Sequence, residues 1–196
     1  MDLVSLNTED VDFLNYATSS LIENWSKSFD ETYGGYNRAP KFMMPNNYQY
    51  LLRYAVQNNN KELLNQVALT LDKMAYGGIY DHVGGGFSRY STDIKWHVPH
   101  FEKMLYDNAQ LVSLYSNAYL VTQNPLYKEV VMETLDFIAR EMTTEEGAFY
   151  SSLDADSKTE NGELEEGAYY IYTKEELQKI LTTDFDLFKT YYNINS

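Results

Sequence analysis

The sequence predicts a mainly α-helical fold of the α/α toroid type, with a small β-hairpin excursion near residues 148–172. Apolar residues recur at three-to-four spacing through several long segments, which is typical of amphipathic helices. These helices pair across tight turns, and long loops separate the pairs. The chain has no exact repeat at a fixed period, which favours a toroid over an array of helical repeats.

Three helices are predicted in the first part of the chain. The first spans Thr8–Phe29, with Thr8 as its cap. The second spans Asn46–Asn58 and the third spans Asn60–Tyr76, and the short asparagine turn between them makes them antiparallel neighbours. The loop at 30–45 carries too many aromatic residues for a linker, so it is predicted to be a long packed loop.

Prolines and an asparagine place the next two helices. Pro99 suits a first helical position, so the fourth helix is predicted to run from Pro99 to about Thr122. Its cap would be Val98, whose side chain accepts no hydrogen bond, and its first N–H groups would need another partner. Asn124 is predicted to cap a fifth helix over 125–142.

The pattern changes after the fifth helix. The segments GAFYSS (147–152) and GAYYIYT (167–173) alternate in polarity and favour strands on either side of an acidic loop. Thr173 then precedes Glu176 by three residues, which is the spacing of a capping box at a helix start. A last helical piece is predicted over about Asp184–Tyr192.

Composition excludes several classes of partner and chemistry. The net charge of −14 argues against nucleic acid and against anionic membrane surfaces. No apolar run is long enough to span a bilayer, and no signal peptide is recognisable. The absence of cysteine excludes disulfides and thiolate metal sites, and is compatible with the cytoplasmic location that we expect. Tyrosine is abundant, with 19 residues, and most of these rings are predicted to lie in the core.

Chemistry-bearing residues concentrate in one stretch, Gly77–Asn108. It holds all three histidines of the chain, His82, His97 and His100, and the glycine run Gly84–Gly86. Glycines at these positions allow positive φ or a close backbone approach. We expect His97, His100 and the glycine run to lie together at the N-terminal end of the fourth helix.

Metal binding is the alternative use of these residues. His97, His100 and Glu102 have a ligand-like sequence, but their spacing is not the i, i+4 helical pair of zinc hydrolases. The acidic loop that contains Asp154 has oxygen ligands suited to calcium, yet it lacks the ordered pattern of an EF-hand. We therefore expect no metal and no other cofactor, and a solvated acidic loop.

Three stretches together resemble a known family: GGYNRAPKF (34–42), the segment 77–111, and SSLDADS through EEGAYYIYT (151–173). They resemble the thioredoxin-domain-containing proteins that include the spermatogenesis-associated thioredoxin-like proteins. The resemblance implies an (α/α)6 toroid similar to N-acylglucosamine 2-epimerases and six-hairpin glycosidases. It further implies that residues 1–196 form the N-terminal half of that toroid, about three helical hairpins. The thioredoxin-like domain and the C-terminal half would be absent.

The resemblance implies a carbohydrate-type cleft in this stretch. The candidate catalytic residues are Asp81, His97, His100, Glu102 and Asp107. The candidate substrate-binding residues are His82, Arg89, Tyr90, Trp96, Tyr106, Asn108 and Asp154. Sugar epimerisation or isomerisation would need a base beside an acidic carbon, whereas glycoside hydrolysis would need two facing carboxylates. The rival interpretation is a non-catalytic helical scaffold that docks a thioredoxin-like domain or another protein.

An incomplete toroid also has a consequence for assembly. Its terminal helices would each lack a lateral neighbour and would expose apolar side chains. We therefore expect the chain to self-associate through this edge, and to be inactive alone because the cleft would lack its far wall.

Overall fold

The computed structural model describes residues 18–159 and 161–194. The helices of these ranges are α1 (Thr18–Ser26), α2 (Pro45–Gln57), α3 (Lys61–Tyr76), α4 (Leu105–Thr122), α5 (Pro125–Glu141), α6 (Lys174–Leu181) and α7 (Phe185–Tyr191). The strands are β1 (Lys41–Phe42), β2 (Tyr90–Ser91), β3 (Pro99–His100), β4 (Lys103–Met104), β5 (Ser152–Leu153), β6 (Asp156–Lys158) and β7 (Leu164–Glu166). No helix in the described ranges is long and apolar enough to cross a membrane. The first ten residues of the predicted first helix (8–17), with the Thr8 cap, lie outside the described residues.

The helices pack as two antiparallel hairpins whose first members face each other. The helix α2 packs on both α3 and α4, and α4 packs on α5. Because the chain reverses at the tight turns after α2 and α4, the long connections 27–44, 77–104 and 142–173 all emerge at the same end of the helices. We call this the loop end, and every candidate site residue lies in or next to these connections.

The caps predicted at Asn124 and Thr173 are confirmed, and Asn60, which was not predicted as a cap, caps α3 as well. The side chain of Asn60 accepts from the N–H of Leu63 at the start of α3, and Asn124 caps α5 in the same way. Thr173 and Glu176 form both bonds of a capping box at α6. These caps satisfy N–H groups that have no partner inside the helix, which explains why the helices begin at these residues.

Tyrosines fill much of the core, and the hydroxyls of Tyr115 and Tyr127 find partners there, whereas the buried Tyr48 hydroxyl has none. Tyr115 is fully buried between the hairpins and donates to the carbonyl of Leu71 at 2.8 Å. Tyr127 donates to Asp72 at 2.9 Å. A buried tyrosine that keeps a hydrogen bond contributes its apolar face without the cost of an unsatisfied hydroxyl.

The predicted start of the fourth helix is wrong. Pro99 and His100 form β3, which pairs antiparallel with β2, and α4 begins only at Leu105. The N–H of Leu105 donates to the carbonyl of Ser151 at 2.9 Å, so a distant loop replaces the missing side-chain cap. A local preference of proline for a helix start has yielded here to pairing with a strand nine residues earlier.

The β excursion is confirmed, but its strands are not the predicted ones. The hairpin is made by β6 and β7, from the acidic loop itself, while β5 pairs with β4. The segment predicted as the second strand contains a short 3-10 helix at Ala168–Tyr170. It follows Gly167 at φ 76, and the ring of Tyr170 stacks on Phe101 at 5.3 Å between centroids. Tertiary packing of the aromatic ring has overridden the alternating pattern.

Apolar side chains are exposed on the helices α4 and α5, among them Leu120, Val121, Met132 and Leu135. Self-association through such an edge stays a prediction.

Candidate functional site

Three aromatic rings form a continuous stack at the loop end. The strands β1, β2 and β3 place Phe42, Tyr90 and His100 in register, one on each strand. The centroids of Phe42 and Tyr90 are 4.9 Å apart, and those of Tyr90 and His100 are also 4.9 Å apart. Packing against the Tyr90 ring orients the His100 imidazole independently of the polar contacts that the imidazole makes.

Carboxylates and a guanidinium surround the His100 ring. Arg89 donates through Nη1 to Glu102 Oε2 at 2.8 Å, and its backbone N–H donates to the Glu102 carbonyl at 2.8 Å. His100 Nδ1 lies 2.7 Å from Glu166 Oε1, and its Nε2 lies 3.7 Å from Glu102 Oε2. Because a carboxylate only accepts, the Nδ1–H donates to Glu166, which leaves Nε2 with its lone pair in the neutral ring. All four side chains remain partly exposed to solvent.

Asp107 is the unsatisfied member of this cluster. Its carboxylate is half-buried in the first turn of α4 and makes no hydrogen bond or ion pair within the described residues. Burial raises the pKa of Asp107 to about 6, the negative charge of Glu102 adds to the rise, and Arg89 opposes it. The carboxyl group therefore gains and loses a proton near neutral pH, as a group in general acid–base catalysis must. We call Arg89, His100, Glu102, Asp107 and Glu166 the polar cluster.

The Asp107→Asn variant is expected to be more stable than the unaltered chain at neutral pH. In the folded state the pKa of Asp107 is raised from 3.8 to about 6, so the folded chain binds this proton more tightly than the unfolded chain. The charged form then costs stability above pH 6, and the cost disappears as pH falls towards 4. With a discount for solvent screening, we expect a gain of about 1 kcal/mol.

Urea unfolding of the two chains across this pH range measures the difference in the free energy of unfolding. The exposed Glu145→Gln variant is the matched control, because it removes one negative charge elsewhere at the loop end. An Asp107→Asn variant that is less stable than the unaltered chain at alkaline pH would contradict the assignment of a raised pKa.

Asp81, a predicted catalytic residue, does not belong to the polar cluster and is held in a separate network of hydrogen bonds. Its Oδ2 accepts from Lys103 Nζ at 2.8 Å, and its Oδ1 accepts from the N–H groups of Val83 and Gly84 at 3.0 and 2.8 Å. Lys103 also donates to the Gly85 carbonyl at 2.9 Å, and its side chain is 2% exposed. Burial alone would raise the pKa of Asp81, but these N–H and ammonium donors outweigh it, and the pKa is lowered.

The same arrangement occurs a second time, one hairpin earlier in the chain. Asp30 Oδ2 accepts from Lys41 Nζ at 2.8 Å, its Oδ1 accepts from the N–H groups of Thr32 and Tyr33, and Lys41 donates to the Gly34 carbonyl at 2.7 Å. In both loops the aspartate N–H donates to a glycine carbonyl five residues on, at 2.9 Å in the first and 3.0 Å in the second. We call these the first lock (30–35 with Lys41) and the second lock (81–86 with Lys103).

Each lock holds a strand that carries part of the site. Lys41 lies in β1 beside Phe42 of the ring stack, and Lys103 lies in β4 beside Glu102. Two successive glycines in each loop have positive φ, at 66 and 72° for Gly34 and Gly35 and at 77 and 82° for Gly85 and Gly86. A side chain at Gly34 would come within 2.5 Å of the Thr70 Cα, so both the turn and the packing require glycine.

The remaining predicted residues do not all reach the polar cluster. Trp96 is fully buried, and its Nε1 donates to the Tyr33 carbonyl at 2.8 Å, so neither ring face is open to a ligand. Asn108 is also buried, and it bonds the backbone of Phe87 and Met104. We leave both out of the site proposed below, as a correction to the sequence prediction.

Two histidines and Asp154 lie elsewhere at the loop end. His82 is exposed, with Nε2 at 3.0 Å from the Gly77 carbonyl. His97 is exposed in the turn that Asp93 holds through backbone N–H groups. Asp154 lines a cavity of about 310 Å³ beside Asp81, Lys103 and α5. His97, His100 and the glycine run all lie in the connection 77–104 that leads into the N-terminal end of α4, and their grouping at one place there stays a prediction.

The site residues predicted from the sequence include neither Glu166 nor the lysines of the two locks. Glu166 ends β7, far along the chain from His100, and nothing local marks it among the many acidic residues of its loop. The locks did have a signal, since DETYGGY (30–36) and DHVGGGF (81–87) share an aspartate followed by paired glycines at the same offset. Tyr106, in contrast, was predicted and is exposed beside Arg89.

No group of three or more histidine, aspartate and glutamate side chains suited to a metal ion occurs in the part of the chain that the structure describes. The expectation of no metal stays a prediction.

The chain is similar over most of its length to a short part of much longer proteins. No family model matches it. It is 47% identical over 160 residues to spermatogenesis-associated protein 20 of Homo sapiens. The aligned region covers 79% of the chain and 20% of that protein. It is 44% identical over 168 residues to the Mus musculus protein of the same name, covering 83% of the chain and 21% of that protein. An uncharacterised protein of Caenorhabditis elegans is 36% identical over 170 residues, covering 83% of the chain and 23% of that protein.

The chain thus spans about a fifth of the length of the curated relatives it matches. These homologues confirm the resemblance to the spermatogenesis-associated proteins that was found in the sequence. The thioredoxin-like domain, and the placement of 1–196 as half of a toroid, stay predictions.

Two solved structures share the fold. A cellobiose 2-epimerase from Bacillus thermoamylovorans B4167 matches with a TM-score of 0.59 and 17% identity, over 82% of the chain and 47% of that structure. A sugar epimerase from a ruminal bacterium matches with a TM-score of 0.62 and 16% identity, over 82% of the chain and 44% of that structure. At this identity the likeness concerns the fold, and it confirms the mainly helical toroid class with small sheets.

Proposed function

From its homology to spermatogenesis-associated protein 20 and the toroid fold that it shares with sugar epimerases, we propose that this chain forms one wall of a saccharide site. The reaction that such a site serves is epimerisation or isomerisation of a sugar, by proton transfer next to a carbonyl carbon. The polar cluster at the loop end, with Tyr90 and Tyr106, is the part of the chain that contacts the sugar.

One observation carries the proposal, namely the half-buried Asp107 carboxylate, which interacts electrostatically with Arg89 and Glu102 and makes no hydrogen bond or ion pair within the described residues. A group used only for structure is normally satisfied by the fold, because leaving a buried polar group unpaired costs stability. An unpaired, half-buried carboxylate that faces other polar groups is typical of a site that a ligand completes.

Each member of the polar cluster has a chemical task in this proposal. Glu166 holds the Nδ1–H of His100, so His100 Nε2 is the base that removes the proton next to the carbonyl. Asp107, whose pKa is about 6, is the acid that protonates the carbonyl oxygen as the enediol forms, and it takes this proton back when His100 returns its own proton to carbon. Arg89 and Glu102 hydrogen-bond to sugar hydroxyls, and the exposed ring of Tyr106 packs against the sugar face.

A scaffold that docks another protein domain is the second candidate. It is favoured by the pairing within the cluster, since Arg89 bonds Glu102 and His100 bonds Glu166 without any ligand. On that interpretation the pairs only hold β7 and β3 in place. The two candidates predict different effects of replacing Glu102 on sugar affinity and on stability, and the last experiment of the Discussion measures both.

Ligand-detected NMR with a panel of mono- and disaccharides tests the proposal on the chain itself. We expect saturation transfer from the protein to at least one neutral hexose, with a dissociation constant of about 1–10 mM, since a single wall buries only part of the sugar. Exchange of the C2 proton for deuterium in heavy water measures turnover, and we expect it to be slow or absent with one wall alone. Absence of transfer to every sugar at about 10 mM would refute the proposal.

A further inference from the structure

The chain contains two copies of one structural unit, each made of a lock followed by a helical hairpin. The first lock precedes α2 and α3, and the second lock precedes α4 and α5. The first helix of each hairpin begins directly after a methionine, Met44 or Met104, without a side-chain cap. In the second helix of each hairpin, the tripeptide Thr-Leu-Asp begins at the tenth residue, at 70–72 in α3 and at 134–136 in α5. The two units therefore correspond residue by residue.

An aromatic ring from the next connection packs over the lysine of each lock. The Lys41 ammonium lies 5.3 Å from the centroid of the Trp96 ring, which belongs to the connection 77–104. The Lys103 ammonium lies 5.3 Å from the centroid of the Tyr170 ring, which belongs to the connection 142–173. Tyr170 is therefore the counterpart of Trp96 in the second unit.

The two rings differ in how completely they cover their locks. Trp96 is 0% exposed, and its Nε1 donates to the carbonyl of Tyr33 in the first lock at 2.8 Å. The smaller ring of Tyr170 is partly exposed, and its hydroxyl makes no hydrogen bond within the described residues. The carbonyl of Gly84, which corresponds to that of Tyr33, accepts instead from Arg140 Nη2 at 2.6 Å. An indole ring thus fills a space in the first unit that no side chain fills in the second.

This space in the second unit is the cavity of about 310 Å³ that Asp154 lines. Its lining includes Lys103 and Phe137, each 2% exposed, together with Tyr170. The Lys103 ammonium lies 4.5 Å from the centroid of the Phe137 ring. A volume of about 300 Å³ is sufficient for a small-molecule site, and such sites combine aromatic walls with a few polar groups. We call it the lock cavity.

The lock cavity and the polar cluster lie on opposite sides of one extended segment. His100 and Glu102 belong to the polar cluster, whereas the rings and charges of Phe101 and Lys103 contact the Tyr170 ring. Successive side chains of an extended chain point to opposite faces. A ligand in the lock cavity therefore does not compete with a sugar at the polar cluster, and the inference below stands without the proposed function.

We infer that the lock cavity binds a small, uncharged aromatic molecule of the indole type, which takes the place that the Trp96 ring has in the first unit. The ring of the ligand packs on Tyr170 and Phe137, and its electrons stabilise the buried ammonium of Lys103. Its N–H donates to the carboxylate of Asp154 at the edge of the cavity. An anionic ring would instead place its charge beside the carboxylates of the lining, which include Asp81 and Glu141.

Titration of the unaltered chain with indole, followed by NMR, tests the inference. We expect indole to bind with a dissociation constant of about 1 mM. The backbone amide signals of Gly84, Leu153 and Tyr170 are expected to shift, while those of Tyr33 and Gly34 in the first lock stay in place. Indole-3-acetate, which adds a carboxylate to the same ring, is expected to bind more weakly.

A tryptophan at the counterpart position provides the variant. Tyr170→Trp makes the second unit resemble the first, so the larger ring is expected to fill part of the lock cavity and to weaken indole binding about tenfold or more. Tyr172→Trp is the matched control, because Tyr172 is 54% exposed and does not line the cavity, and it is expected to leave indole binding unchanged. Urea unfolding verifies that both variants are folded.

The titration of the unaltered chain decides the inference even if a variant folds poorly. Absence of shifts at the lock cavity with about 5 mM indole would mean that only water fills it, and would overturn the inference. Equal affinity for indole in a folded Tyr170→Trp chain would overturn it as well. D-glucose that shifts the amides of Gly84 and Tyr170 more strongly than indole does would contradict the aromatic class of the ligand.

Discussion

Replacing Lys103 by methionine is expected to lower the free energy of unfolding by about 3–5 kcal/mol, the usual cost of breaking one partner out of a buried ion pair. Methionine keeps the length of the side chain and its apolar contacts, so the loss is mainly electrostatic. Lys103 is 2% exposed and donates to both Asp81 and the Gly85 carbonyl, and its ammonium lies 4.5 Å from the centroid of the Phe137 ring. Without it, Asp81 keeps a negative charge with only two N–H donors.

Chemical denaturation of the Lys103→Met chain gives the number, and two further variants interpret it. Lys128→Met, on the exposed surface of α5, controls for loss of one positive charge and is expected to change stability by less than about 0.5 kcal/mol. Adding Asp81→Asn to Lys103→Met is expected to recover part of the loss, because the uncompensated charge is removed. A loss below about 1 kcal/mol for Lys103→Met would show that the second lock is not a stabilising element.

The features that sequence could predict are those decided within a few residues. Asn60, Asn124 and Thr173 cap their helices because each side chain reaches an N–H only two or three residues on. Pro99 failed as a helix start because β3 pairs with β2, a strand nine residues earlier that the signal at Pro99 itself does not indicate. No local pattern states which extended segment a proline-containing one will pair with.

The two locks illustrate the same limit at the level of a site. The aspartate and glycines of each lock are contiguous and visible in sequence, but the lysine follows 11 residues after Asp30 and 22 after Asp81. A period-based search misses a motif whose last member moves with the length of an intervening loop. In the sequence, Lys41 and Lys103 therefore cannot be told from ordinary surface lysines, whereas in the structure both are buried.

Burial separates the candidate site residues that a ligand could reach from those that it could not. The type of a residue does not reveal whether it is buried. Trp96 and Arg89 both suit sugar binding by type, yet Trp96 is fully buried under Gly35 and Lys41 while Arg89 is partly exposed. The contiguity of 77–108 did bring Arg89, His100 and Glu102 together, through the pairing of β2 with β3. Glu166 joined them only through a hairpin that begins more than fifty residues later.

Replacing Glu102 by glutamine is expected to weaken saccharide binding at least tenfold while leaving the fold intact. Glu102 Oε2 is the acceptor for Arg89 and the nearest carboxylate oxygen to His100 Nε2, so an amide there frees Arg89 and removes one negative charge from the sugar site. The pair is partly exposed, so its loss is expected to change the free energy of unfolding by less than about 1 kcal/mol. This separation of binding from stability is what a ligand site predicts.

The scaffold interpretation predicts the opposite pattern for Glu102→Gln. If the pairs with Arg89 and His100 only hold the strands, the variant loses stability and its weak contacts with sugars stay as they were. NMR titration with D-glucose, together with urea unfolding, measures both quantities on one sample, and Glu145→Gln serves as the exposed charge control. Unchanged sugar affinity in a folded Glu102→Gln chain would move the assignment to the scaffold, because Glu102 lies at the centre of the polar cluster and no sugar held there could avoid it.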